Sequence, residues 1–417
     1  MKKDLYYDVV IAGCGVGGLY TALNLPKHLK ILMICKEDLE SCDSMLAQGG
    51  ICVLRDENDY APYFEDTMRA GHYENNRESV DIMIRSSRDI INHLQSLGVE
   101  FDKSADGSLQ YTKEGAHSKP RICFHEDITG KEITTKLQDR VKELPNVAIM
   151  EYTEMKDILT SETGGSGKND YGAGGRCIGI IAENAAGDRL FIHAADTVMA
   201  TGGIGGLYKH STNFPSLTGD ALTISKKHRV ALEHLDYVQI HPTSLYTEKP
   251  GRSFLISESA RGEGAVLLNG KGERFVDELL PRDVVSKAIE EEMEKEKSRH
   301  VWLSFENVPE TTIRNHFPHI YETCLKEGYD ITKESIPVVP AQHYFMGGVH
   351  VDNNSETTME HLYAVGETSC NGVHGKNRLA SNSLLESLVF AKRAAGKITA
   401  CREGKENHES NYHAACC

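Results

Sequence analysis

An arginine stands directly before a predicted helix in the segment HGKNRLASNSLLES, residues 374–387. The segment is small and polar up to Arg378, and from Asn382 onward its residues favour the start of a helix. A helix N-terminus attracts anions through its unpaired backbone N–H groups and its dipole. A guanidinium adds a rigid fork of donors that matches a carboxylate or a phosphate. The segment therefore predicts that anionic groups bind here.

A glycine-rich loop near the start of the chain predicts a second anion site. The sequence GCGVGG places Gly13, Gly15 and Gly18 in GxGxxG spacing directly after a strand-like run. In dinucleotide-binding folds these glycines permit a tight turn, admit a pyrophosphate and let the helix pack on the strand. The alternative is a plain tight turn. An acid that holds the ribose is expected at the end of the next strand, but Cys35 and Lys36 stand there.

These motifs require a strand, a turn and a helix in sequence to position them, and the surrounding residues predict that frame. Residues 6–12 and 30–35 are apolar runs typical of buried strands, and they flank a predicted helix over 18–28. A further strand over 196–203 ends in the glycine turn TGGIGG. The chain is therefore predicted to be α/β and to contain a βαβ opening.

The pattern changes along the chain predict an interrupted domain. The first domain is predicted over 1–234 and 345–399, and an α+β segment is inserted between its parts at 235–344. Residues 161–176 are glycine-rich and polar, which favours a long hairpin tip over a linker. Residues 400–417 lack periodicity and are predicted to form a disordered tail.

Composition restricts the partners and the compartment. The 417-residue chain carries 46 basic and 61 acidic residues, a net charge of -15, which argues against nucleic acid or an anionic membrane as partner. An anionic substrate would need locally concentrated arginines. Eleven cysteines without a CxxC pair indicate reduced thiols in a cytoplasmic protein and give no support to a metal site. Glycines interrupt the apolar run that follows Lys3, so we expect neither a signal peptide nor a transmembrane helix.

Several motifs together resemble the fumarate reductase and succinate dehydrogenase flavoprotein superfamily. Besides GxGxxG they are AQGG (47–50), ATGG (200–203), TGDA (218–221), HPT (241–243), RGEGAVLLNGKGERF (261–275), PRDVVSKAI (281–289) and GETSCNGVHGKNRLASNSLLES (366–387). They follow the superfamily's order. The resemblance implies an α/β fold in which a Rossmann-like FAD-binding domain is interrupted by an α+β capping domain.

Within the superfamily the chain is most similar to the L-aspartate oxidase family. Members with covalent flavin carry a histidine five residues before the glutamine of AQGG; Asp43 stands there, so FAD is expected to be non-covalent. Lys36 resembles that family's serine–lysine pair. Glu114 lies in KEGAHSKPRICFHED, a segment similar to the one that carries the family's distinctive active-site glutamate. The family's C-terminal helical domain is not expected, because the sequence ends soon after the second FAD segment.

The resemblance implies an activity and partners. L-Aspartate is expected to be oxidised to iminoaspartate by hydride transfer from C2 to flavin N5, as the first step of NAD biosynthesis through quinolinate. Oxygen or fumarate is expected to reoxidise the flavin, and quinolinate synthase is a candidate transient partner. The alternatives are a soluble fumarate reductase-like enzyme for a related dicarboxylate, a flavin-binding protein without turnover, and a nicotinamide-dependent dehydrogenase.

The resemblance also implies the substrate site. Arg378 is expected to clamp a substrate carboxylate, and Arg282 to lie close to the reacting carbons and to move a proton. His241 and His343 are expected to donate hydrogen bonds to the carboxylates. Glu114 is expected to bind the ammonium, a group that succinate lacks.

FAD binding is assigned by the same resemblance to five segments and one helix start. The expected residues are Gly13, Gly15, Val16, Gly17, Gly18, Lys36, Ser44, Gln48, Gly49, Gly50, Asp220, Glu367, Ser383 and Leu384. Gln48 is expected to contact substrate as well. Ser383 begins the helix whose N-terminus is expected to face the flavin C2 carbonyl, where reduced flavin gathers negative charge.

Each substrate-site assignment has a structural alternative that the sequence leaves open. These are a core histidine for His241 and for His343, a helix cap or a pair with Asp283 for Arg282, a domain-interface ion pair for Arg378, and a surface ion pair with Lys113 for Glu114. Burial and hydrogen-bond partners decide between the two interpretations at each position.

Overall fold

The computed structural model describes residues 3–161, 175–249 and 251–414, with 404–414 as helix backbone. The predicted hairpin tip at 161–176 lies outside these residues except at its ends. The helices are α1 (Val16–Asn24), α2 (Glu57–Ala70), α3 (Arg77–Ser96), α4 (Thr129–Lys142), α5 (Asp220–Lys227), α6 (Glu258–Gly262), α7 (Arg282–Glu296), α8 (Glu310–His316), α9 (Pro318–Lys326) and α10 (Ser383–Ala414). Short 3-10 helices cover Asp43–Leu46, Gly205–Leu207 and Gly366–Thr368.

The strands are β1 (Lys3–Ala12), β2 (Ile31–Ile34), β3 (Ile51–Cys52), β4 (Ile122–Cys123), β5 (Val147–Met150), β6 (Thr153–Thr160), β7 (Cys177–Asn184), β8 (Arg189–Met199), β9 (Leu232–Glu233), β10 (Val238–Leu245), β11 (Val266–Leu268), β12 (Val301–Ser304), β13 (Ile336–Phe345), β14 (Gly348–His350), β15 (Leu362–Ala364) and β16 (Ser369–Cys370). β3 pairs with β4, and β14 lies between β16 and β9. The remaining strands form two larger sheets.

The largest sheet is built around β1 and has the order β5-β2-β1-β8-β7-β6, with β15 beside the end of β8. β1 runs parallel to β2 and β8, so Ala12 lies beside Ile34 on one side and Met199 on the other. These strands therefore end at a common edge, and β1, α1 and β2 form the predicted βαβ unit. Ligands of such sheets bind beyond the carboxyl ends of the strands. The glycine loop lies at that edge.

A second, antiparallel sheet with the order β10-β13-β12-β11 belongs to the inserted segment. Its hydrophobic core draws on buried residues between Leu245 and Val338, including Val285 and Ile289 of α7. Two other cores pack on opposite faces of the main sheet, so the inserted segment has a core of its own. On this basis we propose residues 235–344 as the extent of the capping domain.

The architecture confirms the predicted α/β fold class. Parallel strands with a core on each face form the first part, and an antiparallel sheet with its own helices is inserted into it. None of the helices in the described ranges is both long and apolar enough to cross a bilayer.

The predicted disordered tail over 400–417 is wrong at its start, because α10 continues across residue 400. Arg402 fixes this part of α10 to the main sheet: its Nε donates to Asp196 Oδ2 at 2.9 Å and an NH2 group to the Asp8 carbonyl oxygen at 2.6 Å. The contacts that hold the helix here are ionic rather than apolar. Apolar periodicity alone therefore predicts too short a helix.

Candidate active site

The glycine loop allows close backbone contacts at the carboxyl edge of the main sheet. Gly13 has a φ of 120°, and a Cβ on it would lie 1.9 Å from the Ala200 carbonyl oxygen beyond β8. A Cβ on Gly18 would lie 2.1 Å from the Gly13 oxygen, so α1 packs directly on the turn. The Val16 N–H, in the first turn of α1, donates to Ser44 Oγ at 3.1 Å. This geometry fits a pyrophosphate at the helix N-terminus.

A continuous pocket runs from this loop to the capping domain. All residues predicted for substrate and cofactor line it except Gly18, which lies behind the turn. The predicted residues that line it are Gly13, Gly15, Val16, Gly17, Lys36, Ser44, Gln48, Gly49, Gly50, Glu114, Asp220, His241, Arg282, His343, Glu367, Arg378, Ser383 and Leu384. Their individual roles stay predictions.

Beside the glycine loop, other elements supply the acceptors that the end of β2 lacks. Lys36 Nζ lies 3.0 Å from Asp220 Oδ2 and 3.4 Å from Glu154 Oε1. It also donates to Thr218 Oγ1 at 3.1 Å. The lysine thus gathers two carboxylates where the fold usually places one acid. Acceptors grouped in this way fit the hydroxyls of a ribose.

The loop around AQGG presents unsatisfied acceptors to the pocket. Among the described residues, Gln48 Oε1 and Asp43 Oδ2 are buried without a hydrogen-bond partner. Asp43 Oδ1 accepts from the Phe214 N–H at 2.9 Å, and burial raises the pKa of Asp43 to about 7. Burial, with the Asp43 charge adding to it, raises the pKa of Glu367 to about 8. Unsatisfied buried acceptors that line a pocket indicate a polar ligand, so these residues fit FAD.

Arg282 begins α7 and is held by two buried acceptors. Its Nε donates to Glu258 Oε2 at 2.5 Å, and NH1 donates to Gln239 Oε1 at 2.9 Å. Gln239 Nε2 in turn donates to the Arg378 carbonyl oxygen at 2.8 Å, so one amide connects the two arginine segments. The alternative pair with Asp283 is wrong, because that carboxylate bonds to a histidine after α2.

Arg378 is buried in the loop before α10. Its NH1 donates to Ser383 Oγ at 2.7 Å, and its guanidinium carbon lies 4.4 Å from the centroid of the Tyr344 ring. In the described part of the chain its Nε has no hydrogen-bond partner. Burial, reinforced by the charge of Arg282, lowers the pKa of Arg378 to about 10, which leaves it cationic at neutral pH. A buried cation with an unsatisfied donor fits an anionic ligand.

Two histidines face each other beside the arginines, with ring centroids 5.1 Å apart. His241 Nδ1 accepts from the Thr243 N–H at 3.2 Å, so its proton lies on Nε2, which lacks a partner among the described residues. His343 Nδ1 lies 2.7 Å from Thr212 Oγ1. Burial and then the charge of Arg282 hold the pKa of both histidines well below the usual value. Both rings are therefore neutral, and His241 offers an N–H to the pocket.

Glu114 is 1% exposed, so the predicted alternative of a surface ion pair is wrong. Ser259 Oγ donates to its Oε1 at 2.9 Å, and Ser381 Oγ donates to its Oε2 at 2.5 Å. A Cβ on Gly49 would lie 2.2 Å from Oε1, so a larger residue at this point of the AQGG loop would displace the carboxylate. Burial and then the charge of Glu258 raise the pKa of Glu114. Two serine hydroxyls, rather than an arginine, thus hold the Glu114 carboxylate in the pocket.

Among the residues that hold the predicted side chains in place, Gln239, Glu258, Ser259 and Ser381 were not predicted. Gln239 lies two positions before His241 on β10, so strand alternation could have found it. Glu258 lies just before the RGEG motif and is buried with Arg261. Burial raises the pKa of Glu258, but the charges of Arg282 and Arg261 have the larger effect and lower it. Ser381 has a φ of 60°, a conformation that no sequence pattern indicates for serine.

The fold and the site define a flavoprotein with a Rossmann-like FAD domain. The family model described as a FAD binding domain matches residues 8–384, and the chain belongs to that family. The FrdA subunit of E. coli quinol fumarate reductase superposes with a TM-score of 0.86 at 30% identity, covering 95% of this chain and 70% of that one. FAD is the cofactor.

Curated relatives define the family more narrowly. The L-aspartate oxidase of Clostridium perfringens is 52% identical over 392 residues, which are 94% of this chain and 86% of that protein. The L-aspartate oxidase of Clostridium acetobutylicum is 46% identical over 409 residues, 98% of this chain and 91% of that protein. The chain belongs to the L-aspartate oxidase family.

Proposed function

We propose that this chain oxidises L-aspartate to iminoaspartate with FAD, as the first step of NAD biosynthesis through quinolinate. The observation that carries the proposal is the buried carboxylate of Glu114 in one pocket with Arg282 and Arg378. L-Aspartate has one ammonium and two carboxylates, and the pocket offers the opposite charge to each. Bound FAD supplies the acceptor for the C2 hydride at its N5. The protein holds and orients the substrate.

The carboxylates are held by donors that have no hydrogen-bond partner within the described ranges. Arg378 offers its Nε, and His241 offers its Nε2–H. Because the two groups are already buried, they lose little solvation when the anion binds, and charge-assisted bonds in such a site are strong. Gln239 ties the Arg378 backbone to the Arg282 side chain, so the two guanidinium groups keep their separation.

Glu114 binds the ammonium and takes its proton. Two serine hydroxyls orient the carboxylate, and burial raises the pKa of Glu114, which brings its proton affinity closer to that of an amine. Once the ammonium has lost a proton to Glu114, the nitrogen lone pair can form the C=N bond as the C2 hydride leaves. The products are the iminium form of iminoaspartate and a protonated Glu114, and bound FAD would carry the two electrons of the hydride.

We assign to Arg282 the transfer of a proton to the substrate carbon when fumarate is reduced. Its Nε bond to Glu258 at 2.5 Å gives it a buried anionic partner. After Arg282 gives a proton to the substrate carbon, the neighbouring Glu258 carboxylate can relay a replacement proton from solvent to the guanidine and so restore the ion pair.

Anaerobic mixing tests the proposed substrate. The flavin-loaded protein should lose its flavin absorbance on mixing with L-aspartate and keep it with D-aspartate and with succinate, because only L-aspartate presents its C2 hydrogen and its ammonium correctly. Bleaching by succinate with none by L-aspartate would contradict the proposal and favour the fumarate reductase-like alternative.

The preference for L-aspartate over fumarate should fall as the pH is lowered through the pKa of Glu114. Glu114 binds an ammonium only when it is ionised, and its raised pKa means that the ionised form is lost at a higher pH than for an ordinary glutamate. Glu258 and Arg282 are the charged groups that act on it. The measurement is kcat/KM for both substrates across pH, and the ratio should be flat in Glu114→Gln.

A soluble fumarate reductase-like enzyme is the second candidate, favoured by the similarity to FrdA and by the Arg282–Glu258 pair. The anaerobic experiment separates the two candidates. Contact with quinolinate synthase and a cytoplasmic location stay predictions. If iminoaspartate passes directly to quinolinate synthase, the two enzymes together should yield more quinolinate than expected for an imine that is released into solution and hydrolyses there.

A further inference from the structure

Ser381 holds Glu114 from an unusual backbone conformation. Its Oγ donates to Glu114 Oε2 at 2.5 Å, and its φ is 60°. A serine pays a steric cost in this left-handed region and keeps it only where surrounding contacts fix the chain. The position of the Ser381 hydroxyl therefore depends on what fixes the backbone around it.

Two groups fix that backbone at Ala380 and Ser381. The Ala380 carbonyl oxygen lies 3.1 Å from His117 Nε2 and accepts from Cys52 Sγ at 3.5 Å. The Ser381 carbonyl oxygen accepts from the Cys52 N–H at 3.1 Å. A thiol is a weak donor, so the imidazole is the stronger bond at Ala380.

The tautomer of His117 follows from its other neighbour. Arg121 NH1 lies 2.9 Å from His117 Nδ1, and a guanidinium can only donate, so Nδ1 accepts. The proton therefore lies on Nε2, which donates to the Ala380 carbonyl. Burial and then the charge of Arg121 lower the pKa of His117 to about 4, so the ring stays neutral in the physiological range.

Arg121 is itself immobilised. Its side chain is fully buried; Nε and NH2 donate to the two oxygens of Asp59 at 3.1 and 2.9 Å, and NH1 donates to Asp66 Oδ2 at 2.8 Å. Asp66, which lies on α2, also accepts from the Ser118 N–H at 2.7 Å, so α2 holds the segment that follows Glu114. These bonds connect a rigid helix to the imidazole and, through it, to the loop before α10.

We propose that His117, oriented by Arg121, is a positioning residue that fixes the Ser381 hydroxyl against Glu114 and so sets the preference for an amino acid over a plain diacid. This inference rests on the proposed function of Glu114. His117 lies three residues after Glu114 in the chain, so one segment carries both the carboxylate and the group that positions its partner. A misplacement of about 1 Å at such a site costs up to ~100-fold in rate.

Two amide substitutions separate this role from packing. Glutamine at 117 can place its oxygen near Arg121 and its NH2 near the Ala380 carbonyl, whereas asparagine reaches only Arg121. His117→Asn should therefore lower the ratio of kcat/KM for L-aspartate to that for fumarate by about tenfold or more, and His117→Gln by less than about threefold. The two variants should bind the same amount of flavin. Their midpoints of thermal unfolding should be compared, so that a loss of stability is not mistaken for a loss of positioning.

A double variant decides whether the effect acts through Glu114. In Glu114→Gln there is no carboxylate left to position, so adding His117→Asn should change the ratio no further. An equal fall of both activities in His117→Asn, an unchanged ratio, or a full additional fall in the double variant overturns the proposal. If Glu114→Gln alone leaves the ratio unchanged, the proposed function of Glu114 fails; if it lowers the ratio and His117→Asn does not, only the positioning role fails.

Discussion

Replacing Arg378 with leucine should leave FAD bound and lower kcat/KM for L-aspartate by about 1000-fold. Leucine fills part of the space beside Tyr344 but removes the buried donors that face the pocket. Two charge-assisted hydrogen bonds to a carboxylate contribute about 4 kcal/mol together, and each 1.4 kcal/mol corresponds to a factor of ten. Fumarate reduction should fall by a similar factor, because fumarate also has two carboxylates. The measurements are steady-state kinetics with both substrates and the flavin absorbance of the purified variant.

Arg378→Lys is the matched control. A lysine keeps the positive charge but lacks the planar fork, and it cannot donate both to Ser383 and to a carboxylate in the observed geometry. We expect it to recover no more than about tenfold of the lost activity. If the leucine variant has normal activity with full flavin content, Arg378 does not bind substrate. If it loses flavin, the bond to Ser383 at the start of α10 matters for the cofactor instead.

The distribution of charge explains how an acidic protein can bind a diacid. The chain has a net charge of -15, yet Arg252, Arg282 and Arg378 all line the pocket. Inside the pocket the low dielectric strengthens each of these interactions relative to the surface charges, which water and salt screen. The sequence predicted this concentration of arginines from the overall charge. It did not predict that Glu258 would offset part of it.

The nucleotide-binding part of the fold could be predicted because its constraints are local. Gly13 must turn with a positive φ beside Ala200, and Gly18 must let α1 approach the turn, so only glycine fits and the spacing is visible in the sequence. The continuation of α10 beyond residue 400 could not be predicted, because Arg402 is held there by Asp8 and Asp196 from distant parts of the chain. Tertiary contacts decide such boundaries.

The substrate site was predictable only in part, because tertiary contacts decide part of its geometry. Residue type and resemblance indicated Arg282 and Glu114, since guanidinium groups suit carboxylates and a carboxylate suits an ammonium. The sequence does not contain the information that Ser381 adopts a left-handed conformation or that Gln239 connects two arginine segments. Gln239 bonds to residues 43 and 139 positions away, and a single sequence gives no measure of such contacts.

Replacing Glu114 with glutamine should lower kcat/KM for L-aspartate by about 10- to 100-fold and leave fumarate reduction within about threefold. The lost charge-assisted bond to the ammonium, which contributes about 1.5–3 kcal/mol, accounts for this range, and the loss of the proton acceptor lowers the activity further. Glutamine has nearly the same shape; one of the Ser259 and Ser381 hydroxyls can rotate to accept from its NH2 group, and the other can still donate to its oxygen. Because the pocket becomes more positive by one charge, the KM for fumarate should fall rather than rise.

The comparison of two substrates in one variant is what makes this substitution decisive. A general disturbance of the pocket would reduce both activities, since L-aspartate and fumarate share Arg378 and the flavin. A Ser259→Ala variant removes one donor to Glu114 and keeps the carboxylate, so it should lie between the wild type and Glu114→Gln in its aspartate-to-fumarate ratio. Equal losses for both substrates in Glu114→Gln would show that the buried carboxylate supports the fold of the pocket and does not select the amino acid.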